Sequence, residues 1–175
     1  MNPVLEAMKS RRSIRKFLPD MPAKEDLEQI IEAGLYAANG LGKQSPIVVA
    51  VTNKELRDRL SEMNRVIWDK PEGVDPFYGA PVILVVLARK DVRTYVCDGS
   101  LTLGNMMLAA HSLGLGSIWI NRAREEFASE EGKEILKALG IEGDVEGVGH
   151  CAVGYIDGEA PAAARRRANR VFWAE

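Results

Sequence analysis

Hydrophobic positions in this chain alternate between helical spacing and short unbroken runs, a pattern that predicts helices interleaved with buried strands. Asn2 and Pro3 supply a cap and a first helical position, and Val4, Leu5 and Met8 give the short helix that follows one apolar side. Beyond Pro19 and Pro22, Leu27, Ile30, Ile31 and Leu35 recur at helical spacing. They stand behind Glu25, Asp26 and Glu28, acids that suit the positive end of a helix dipole. A polar, glycine-containing loop, AANGLGKQSP, then leads into IVVAVT, which reads as a buried strand ending near Asn53. Asn53 is placed to cap the next helix, whose inner stripe is Leu56, Leu60, Met63 and Ile67.

Residues 69–81 carry Pro71, Gly73, Pro76, Gly79 and Pro81 and predict a mobile or exposed connection. VILVVLA, residues 82–88, is continuously apolar and rich in β-branched side chains, which predicts a central strand covered on both faces. Tyr95 to Leu113 is apolar almost all round and reads as a buried helix lying on that strand. GSIWIN predicts a third strand, Lys133 to Leu139 a further helix, and GHCAVGYI a last core strand; from Gly158 the chain is alanine-rich and basic, reaching RVFWAE. Neither a repeat nor a linker divides the sequence. The expectation is one domain over residues 1–175, an α+β fold with a single central mixed sheet flanked by helices.

Composition narrows the functional classes. A chain of 175 residues, 46% hydrophobic and 27% charged, fits one globular domain, and its net charge of −2 gives no general attraction to nucleic acid or anionic membranes. The longest apolar run, Ala80 to Ala88, is far short of the roughly 20 residues of a membrane helix. The first dozen residues, MNPVLEAMKSRR, do not follow the pattern of a secretory signal. Cys97 and Cys151 both lie among apolar neighbours, which predicts buried thiols in a reducing compartment, and hence a cytoplasmic location.

Several familiar chemistries are missing. Gly114 and Gly116 begin a dinucleotide fingerprint, but Trp119 takes its third glycine position; GLGKQ approaches a Walker loop, but Ala37 and Gln44 occupy its first glycine and its magnesium-binding hydroxyl. His111 and His150 have no ligand-type neighbours at metal spacing and read as structural, and neither cysteine stands in a nucleophile motif. Asp98, within an apolar helix, reads as a core carboxylate satisfied by hydrogen bonds. If the protein is an enzyme, its chemistry therefore belongs to a cofactor.

Against an acidic background, Lys9, Arg11, Arg12, Arg15 and Lys16 put five cations into eight residues around Ser13. Guanidinium forks, a hydroxyl and backbone donors are the equipment for a phosphate dianion. Arg165, Arg166 and Arg167 form a second cluster that would close on the same anion. The alternative is that both clusters are solvated surface charge.

RRSIRKF, YAANGLGKQSP, LGNMMLAAHSLGLGSIWIN and GYIDGEAPAAARRR, in this order over most of the chain, resemble the FMN-dependent nitroreductase family. The resemblance implies a homodimer with FMN at each of two subunit interfaces. It assigns Arg11, Arg12, Ser13 and Arg15 to the phosphate, ribityl chain or pyrimidine edge, and Arg165 and Arg167 to the phosphate, with Arg166 an equal candidate. It further implies that Asn64 reaches the flavin, that Ala38, Asn39, Gly40 and Gln44 are offered by the other subunit, and that Trp119, Ile120, Asn121 and Arg122 run beside the isoalloxazine ring. Backbone donors in this last segment would stabilise negative charge on the reduced ring through a hydrogen bond at N5.

Departures from the family pattern are Trp119 where many members have proline, and Gln44-Ser45-Pro46 in place of a Gln-Pro-Trp run. The chain is short for the family, so residues 69–79 are the candidate lid, with Phe77 and Tyr78 either stacking on an acceptor or plugging the loop onto the core. The implied activity is transfer of electrons from NADH or NADPH through FMN to nitroaromatics, quinones or similar flat small molecules by ping-pong exchange. Two readings stand beside it: a non-catalytic phosphate- or nucleotide-binding module, and a specialised flavin enzyme of the same fold, such as a dehalogenase or a flavin-fragmenting enzyme. Val171 to Trp173 is an apolar hook in a polar tail, suited to packing on a partner subunit or on its own core.

Overall fold

The computed structural model describes residues 2–175. Six helices, α1 (Pro3–Ser10), α2 (Lys24–Leu35), α3 (Lys54–Ile67), α4 (Tyr95–Ser112), α5 (Ala123–Ala128) and α6 (Glu130–Ala138), accompany four strands, β1 (Pro46–Val51), β2 (Val82–Arg89), β3 (Gly116–Ile120) and β4 (Val145–Gly154). The helix starts follow from local chemistry. Asn2 accepts from the Val4 and Leu5 amides, and Asn53 accepts from the Leu56 amide, each satisfying donors that a helix leaves free. In the predicted stripe of α3, Leu60 and Met63 are buried, whereas Ile67 emerges into solvent.

The sheet has the order β1-β2-β4-β3, and all its strand pairs are antiparallel. Parallel pairing enters at one place, a bridge between Ser13 and Ser117 along the outer side of β3. The apolar run of β2 is central, as its composition predicts: Val82 to Ala88 are completely buried. Alternate side chains of the sheet feed two cores. Ile83, Val85, Leu87, Ile118 and Ala152 pack with residues of α3, α5 and α6, whereas Val82, Leu84, Val86, Cys151 and Val153 pack with α2 and α4. At roughly 1.5–3 kcal/mol for each large apolar side chain removed from water, this double layer supplies the dominant stabilisation.

Some local features differ from expectation, and one open alternative is decided. Helix α5 has no long apolar stripe to announce it, and β4 begins at Val145, upstream of the GHCAVGYI run. Cys97 is exposed on the first turn of α4, and only Cys151 is buried, because helical spacing turns Cys97 away from the sheet. Phe77 is fully buried and plugs its loop into the core. The loop itself is fastened: Asp75 accepts from Ser61 Oγ at 2.7 Å and from the Phe77 and Gly79 amides at 2.9 and 2.8 Å, and it pairs with Arg57. No helix among the described residues is long and apolar enough to cross a membrane.

Candidate functional site

β3 is an edge strand, and two groups of the predicted site residues lie at its ends. At its start, Ser13 bridges to Ser117, and the Ile14 amide donates to the Ser117 carbonyl at 3.1 Å. This docks the segment that leaves α1 against the strand. Buried Ile14 and Phe17 hold it down, so that Arg11, Arg12 and Ser13 are half-buried while Arg15 stays exposed.

The cationic cluster is under-satisfied. Arg12 Nη1 donates to the Lys9 and Arg11 carbonyls at 2.7 and 2.8 Å, neither of which carries a countercharge. Arg11 Nη1 is buried and has no acceptor among the described residues. The positive field is felt by His111, whose Nε2 lies 2.8 Å from Ser10 Oγ: desolvation first, then Arg11 and Arg12, hold its pKa below the usual histidine value. An orphaned guanidinium nitrogen, a second guanidinium held only by carbonyls and a hydroxyl fit a phosphate, which takes several convergent donors and a positive field.

At the other end of β3, about 13 Å further along at the usual strand rise, Asn121 and Arg122 turn the chain into α5. Arg122 sits in the left-handed region, φ 80°, an uncommon conformation for a non-glycine residue and one that calls for support. Asn64 provides it. Fully buried on α3, Asn64 donates from Nδ2 to the Asn121 carbonyl at 2.9 Å and to Glu126, and accepts from Arg122 Nε at 2.8 Å. The Arg122 guanidinium also lies over the Trp68 ring, 4.6 Å from its centroid. Asn64 therefore spends its amide bracing the turn. Trp119 points to the opposite sheet face, where its indole Nε1 is buried without a partner among the described residues; a Cβ at Gly149 would come within 2.8 Å of that nitrogen, so glycine makes room for the ring.

The 38–44 loop lies elsewhere. Gly40 is tied to Asp98 in the first turn of α4, whereas the basic cluster meets the last turn at His111. Those anchors are 13 residues apart, about 20 Å along a helix. Asn39 is spent on its own loop, accepting from the Gln44 amide at 2.9 Å and donating to the Ala37 carbonyl, and Ala38, Gln44 and Leu41 are exposed. Arg165, Arg166 and Arg167 are exposed on the irregular segment after β4, as are Val171, Phe172 and Trp173. One chain thus brings together Arg11–Ser13 and, separately, Asn64 with Asn121–Arg122. Not singled out in the sequence was Glu126, which faces His150 in the buried layer under the turn; a carboxylate on an otherwise apolar helix face was the available signal.

Fold and site together describe an α/β/α sandwich with a cationic cluster at the start of an edge strand and a braced turn at its end. The model of the nitroreductase family matches residues 8–155, and the chain belongs to that family. Among solved structures, a nitroreductase with bound FMN from Bacteroides fragilis is 28% identical, with TM-score 0.89 and full coverage of both chains. A nitroreductase with bound FMN from Desulfitobacterium hafniense is 26% identical, with TM-score 0.90 and full coverage of both. An FMN reductase [NAD(P)H] of Bacillus subtilis is 29% identical over 71% of this chain and 56% of its own length. A relative from Methanothermobacter thermautotrophicus is 32% identical over 66% of this chain and 59% of its own, so the chain spans under two thirds of the length of these two curated relatives.

Proposed function

We propose that residues 1–175 form one FMN-binding domain that takes electrons from NADH or NADPH and passes them to nitroaromatics, quinones or other flat acceptors by ping-pong exchange. The observation that carries this reading is the buried, acceptor-less Arg11 Nη1 beside Arg12 and Ser13, docked on the edge strand whose far end is the braced Asn121–Arg122 turn. The FMN-bound relatives support the identity of the ligand.

Arg11, Arg12 and Ser13 would hold the phosphate, and exposed Arg15 and Arg165–Arg167 would close over it. Backbone donors of the segment 119–122 would face the ring. When bound, FMN supplies the hydride acceptor and the two-electron donor, so no side chain of the chain has to act as nucleophile. The protein's contribution is to bind, to orient and to keep water from one face.

A homodimer suits the exposed apolar surface. Val4, Leu5 and Met8 on α1 are exposed, a groove of about 430 Å³ runs between α1, α2 and α4, and Leu41 is 95% exposed at the tip of the 38–44 loop. Covering this surface with a second copy would carry Asn39, Gly40 and Gln44 to the partner's cofactor, and Phe172 and Trp173 out of water.

The test is a visible spectrum of the protein incubated with FMN and desalted, repeated after anaerobic NADH and then NADPH. Retained flavin bands that bleach, with turnover of nitroaromatics or quinones, are expected. A protein that retains no flavin leaves the anion-binding module, and bleaching without turnover of generic acceptors leaves the specialised flavin enzyme.

A further inference from the structure

Six cationic side chains of the described residues are half-buried: Arg11, Arg12, Arg57, Arg65, Lys70 and Arg122. Arg57 pairs with Asp75 and Arg65 with Glu62, so their charges are met within the chain. Arg11 and Arg12 form the cluster assigned to phosphate. Lys70 and Arg122 remain, and neither makes an ion pair among the described residues. Both cations meet on one side chain. The Arg122 guanidinium carbon lies 4.6 Å from the centroid of the Trp68 ring, and Lys70 Nζ lies 4.8 Å from it. The two positive charges are thus within roughly 10 Å of one another, about one Debye length at 0.1 M salt, so each feels the other.

The backbone fixes where each cation starts. Trp68 closes α3, its amide donating to the Asn64 carbonyl at 3.0 Å, and Asp69 then turns the chain through the left-handed region, φ 54°. The Lys70 amide donates to the Arg65 carbonyl at 3.1 Å, and the Lys70 carbonyl accepts from Arg65 Nη1, so Lys70 leaves a backbone pinned on both sides. Arg122 leaves the braced turn with Nε committed to Asn64 Oδ1 at 2.8 Å, and its other guanidinium nitrogens make no hydrogen bond among the described residues. The indole quadrupole and the C-terminal end of α3 attract cations, but neither carries the full negative charge that would balance two of them. With Trp68 36% exposed, the group is open to a ligand from solvent. It also stands at the far end of β3 from Arg11–Ser13, so a phosphate held there does not serve it.

We propose that Lys70, Trp68 and Arg122 form an anion subsite for the electron acceptor: the flat molecules that suit this domain carry a carboxylate or sulfonate, held between the ammonium and the guanidinium. The inference rests on the FMN reading above, in which segment 119–122 faces the ring. Arg122 closes that segment, so an anion bound to it stands at the margin of the ring. A substituent on an aromatic acceptor falls there, one ring width from the group being reduced. The phosphates of a nicotinamide donor stand further off, beyond its ribose. The guanidinium fork fits the paired oxygens of such an anion, and the ammonium adds a point charge. These residues determine specificity: they select among acceptors by charge, through steering and through contact, and take no part in the transfer itself.

The experiment uses FMN-loaded wild type, Lys70→Gln, Lys70→Arg and Arg122→Gln. Retained FMN is measured first, by absorbance after gel filtration; wild type without it overturns the flavin reading and this inference with it. The ratio of kcat/KM for 4-nitrobenzoate to that for neutral 4-nitrobenzamide is then read at saturating NADH and low salt. Each ratio is internal to one protein, so a general loss of activity cancels. Lys70→Gln and Arg122→Gln should each lower the ratio about fivefold or more, mainly through the KM for 4-nitrobenzoate, and Lys70→Arg should keep it near wild type. A ratio that stays within about twofold of wild type in both neutral variants overturns the proposal, even where both rates fall together. A rise confined to the KM for NADH also overturns it, by assigning the cations to the donor's phosphates. A second measurement needs neither turnover nor a variant. Calorimetric titration of 4-nitrobenzoate into FMN-loaded wild type without donor should show affinity that falls steeply with added salt, whereas 4-nitrobenzamide should not respond. Equal salt dependence for the two ligands overturns the subsite.

Discussion

Gly40 donates its backbone N–H to Asp98 Oδ1 at 3.0 Å, joining a loop tip to the first turn of α4 across 58 positions of sequence. The other carboxylate oxygen accepts from Ser45 Oγ at 2.8 Å and Thr94 Oγ1 at 3.2 Å. One buried carboxylate thus holds both ends of the 40–45 segment, at a helix start where the macrodipole favours its charge. Gly40 has to be glycine for this, since a Cβ there would sit 2.1 Å from Thr94 Oγ1.

Asp98→Ala should therefore release the loop while leaving the core intact. Losing the acceptor for a buried hydroxyl and an amide is expected to cost about 1–3 kcal/mol in urea unfolding. The Gly40 amide should lose its hydrogen-exchange protection. Protection that survives the substitution would mean that the loop is held by something other than Asp98.

The 69–79 segment offers a second test, because its attachment is ionic. Desolvation pushes the Asp75 carboxyl up, but Arg57, the Ser61 hydroxyl and the Phe77 amide outweigh it and hold the group below the usual aspartate value. A carboxylate lowered on folding contributes stability above its ordinary range, and that stability is lost as pH falls through the lowered folded value. Asp75→Asn should flatten the acid limb of stability against pH. Near neutrality it should cost about 1.5–3 kcal/mol, since it removes the charge opposite a guanidinium that is only 11% exposed. An acid limb identical to wild type would assign the pH dependence to other groups.

The fold was largely legible because its signals are local. Asn2 and Asn53 announce their helices, and the VILVVLA run can only be a strand buried on both faces. The Arg11–Ser13 cluster was legible too, as charge out of keeping with the rest of the chain. What could not be read depends on partners distant in sequence. Glu126 and His150 lie 24 positions apart and meet because α5 packs on β4; Asn64 meets Asn121 and Arg122 from 57 and 58 positions away. Cys97 failed for a simpler reason: apolar neighbours in sequence do not fix which side of a helix a residue occupies.

The two thiols should accordingly behave differently. Burial pushes the Cys151 thiol up to about 12, so it carries essentially no thiolate at neutral pH and no reagent reaches it. Cys97 is exposed. A disulfide reagent should titrate one thiol per chain rapidly in native protein and both after denaturation. Rapid reaction of two thiols under native conditions would show that β4 opens to solvent.

The phosphate assignment can be read through a residue that need not touch the ligand. His111 is held below the ordinary histidine value by desolvation and by the charges of Arg11 and Arg12, so it favours the native state above that value and loses the contribution as pH falls. An anion held between the two guanidinium groups offsets their charge and leaves only desolvation. The pKa of His111 should then rise on adding FMN, and the ring C–H signals in an NMR titration would report it. Arg11→Ala and Arg12→Ala should each raise the apo value by removing one repulsive charge. They should also weaken FMN retention about tenfold or more, the equivalent of a charge-assisted hydrogen bond of roughly 1.5–3 kcal/mol. A His111 titration unmoved by saturating FMN would place the phosphate away from the α1–β3 junction, and the cationic cluster would then be solvated charge.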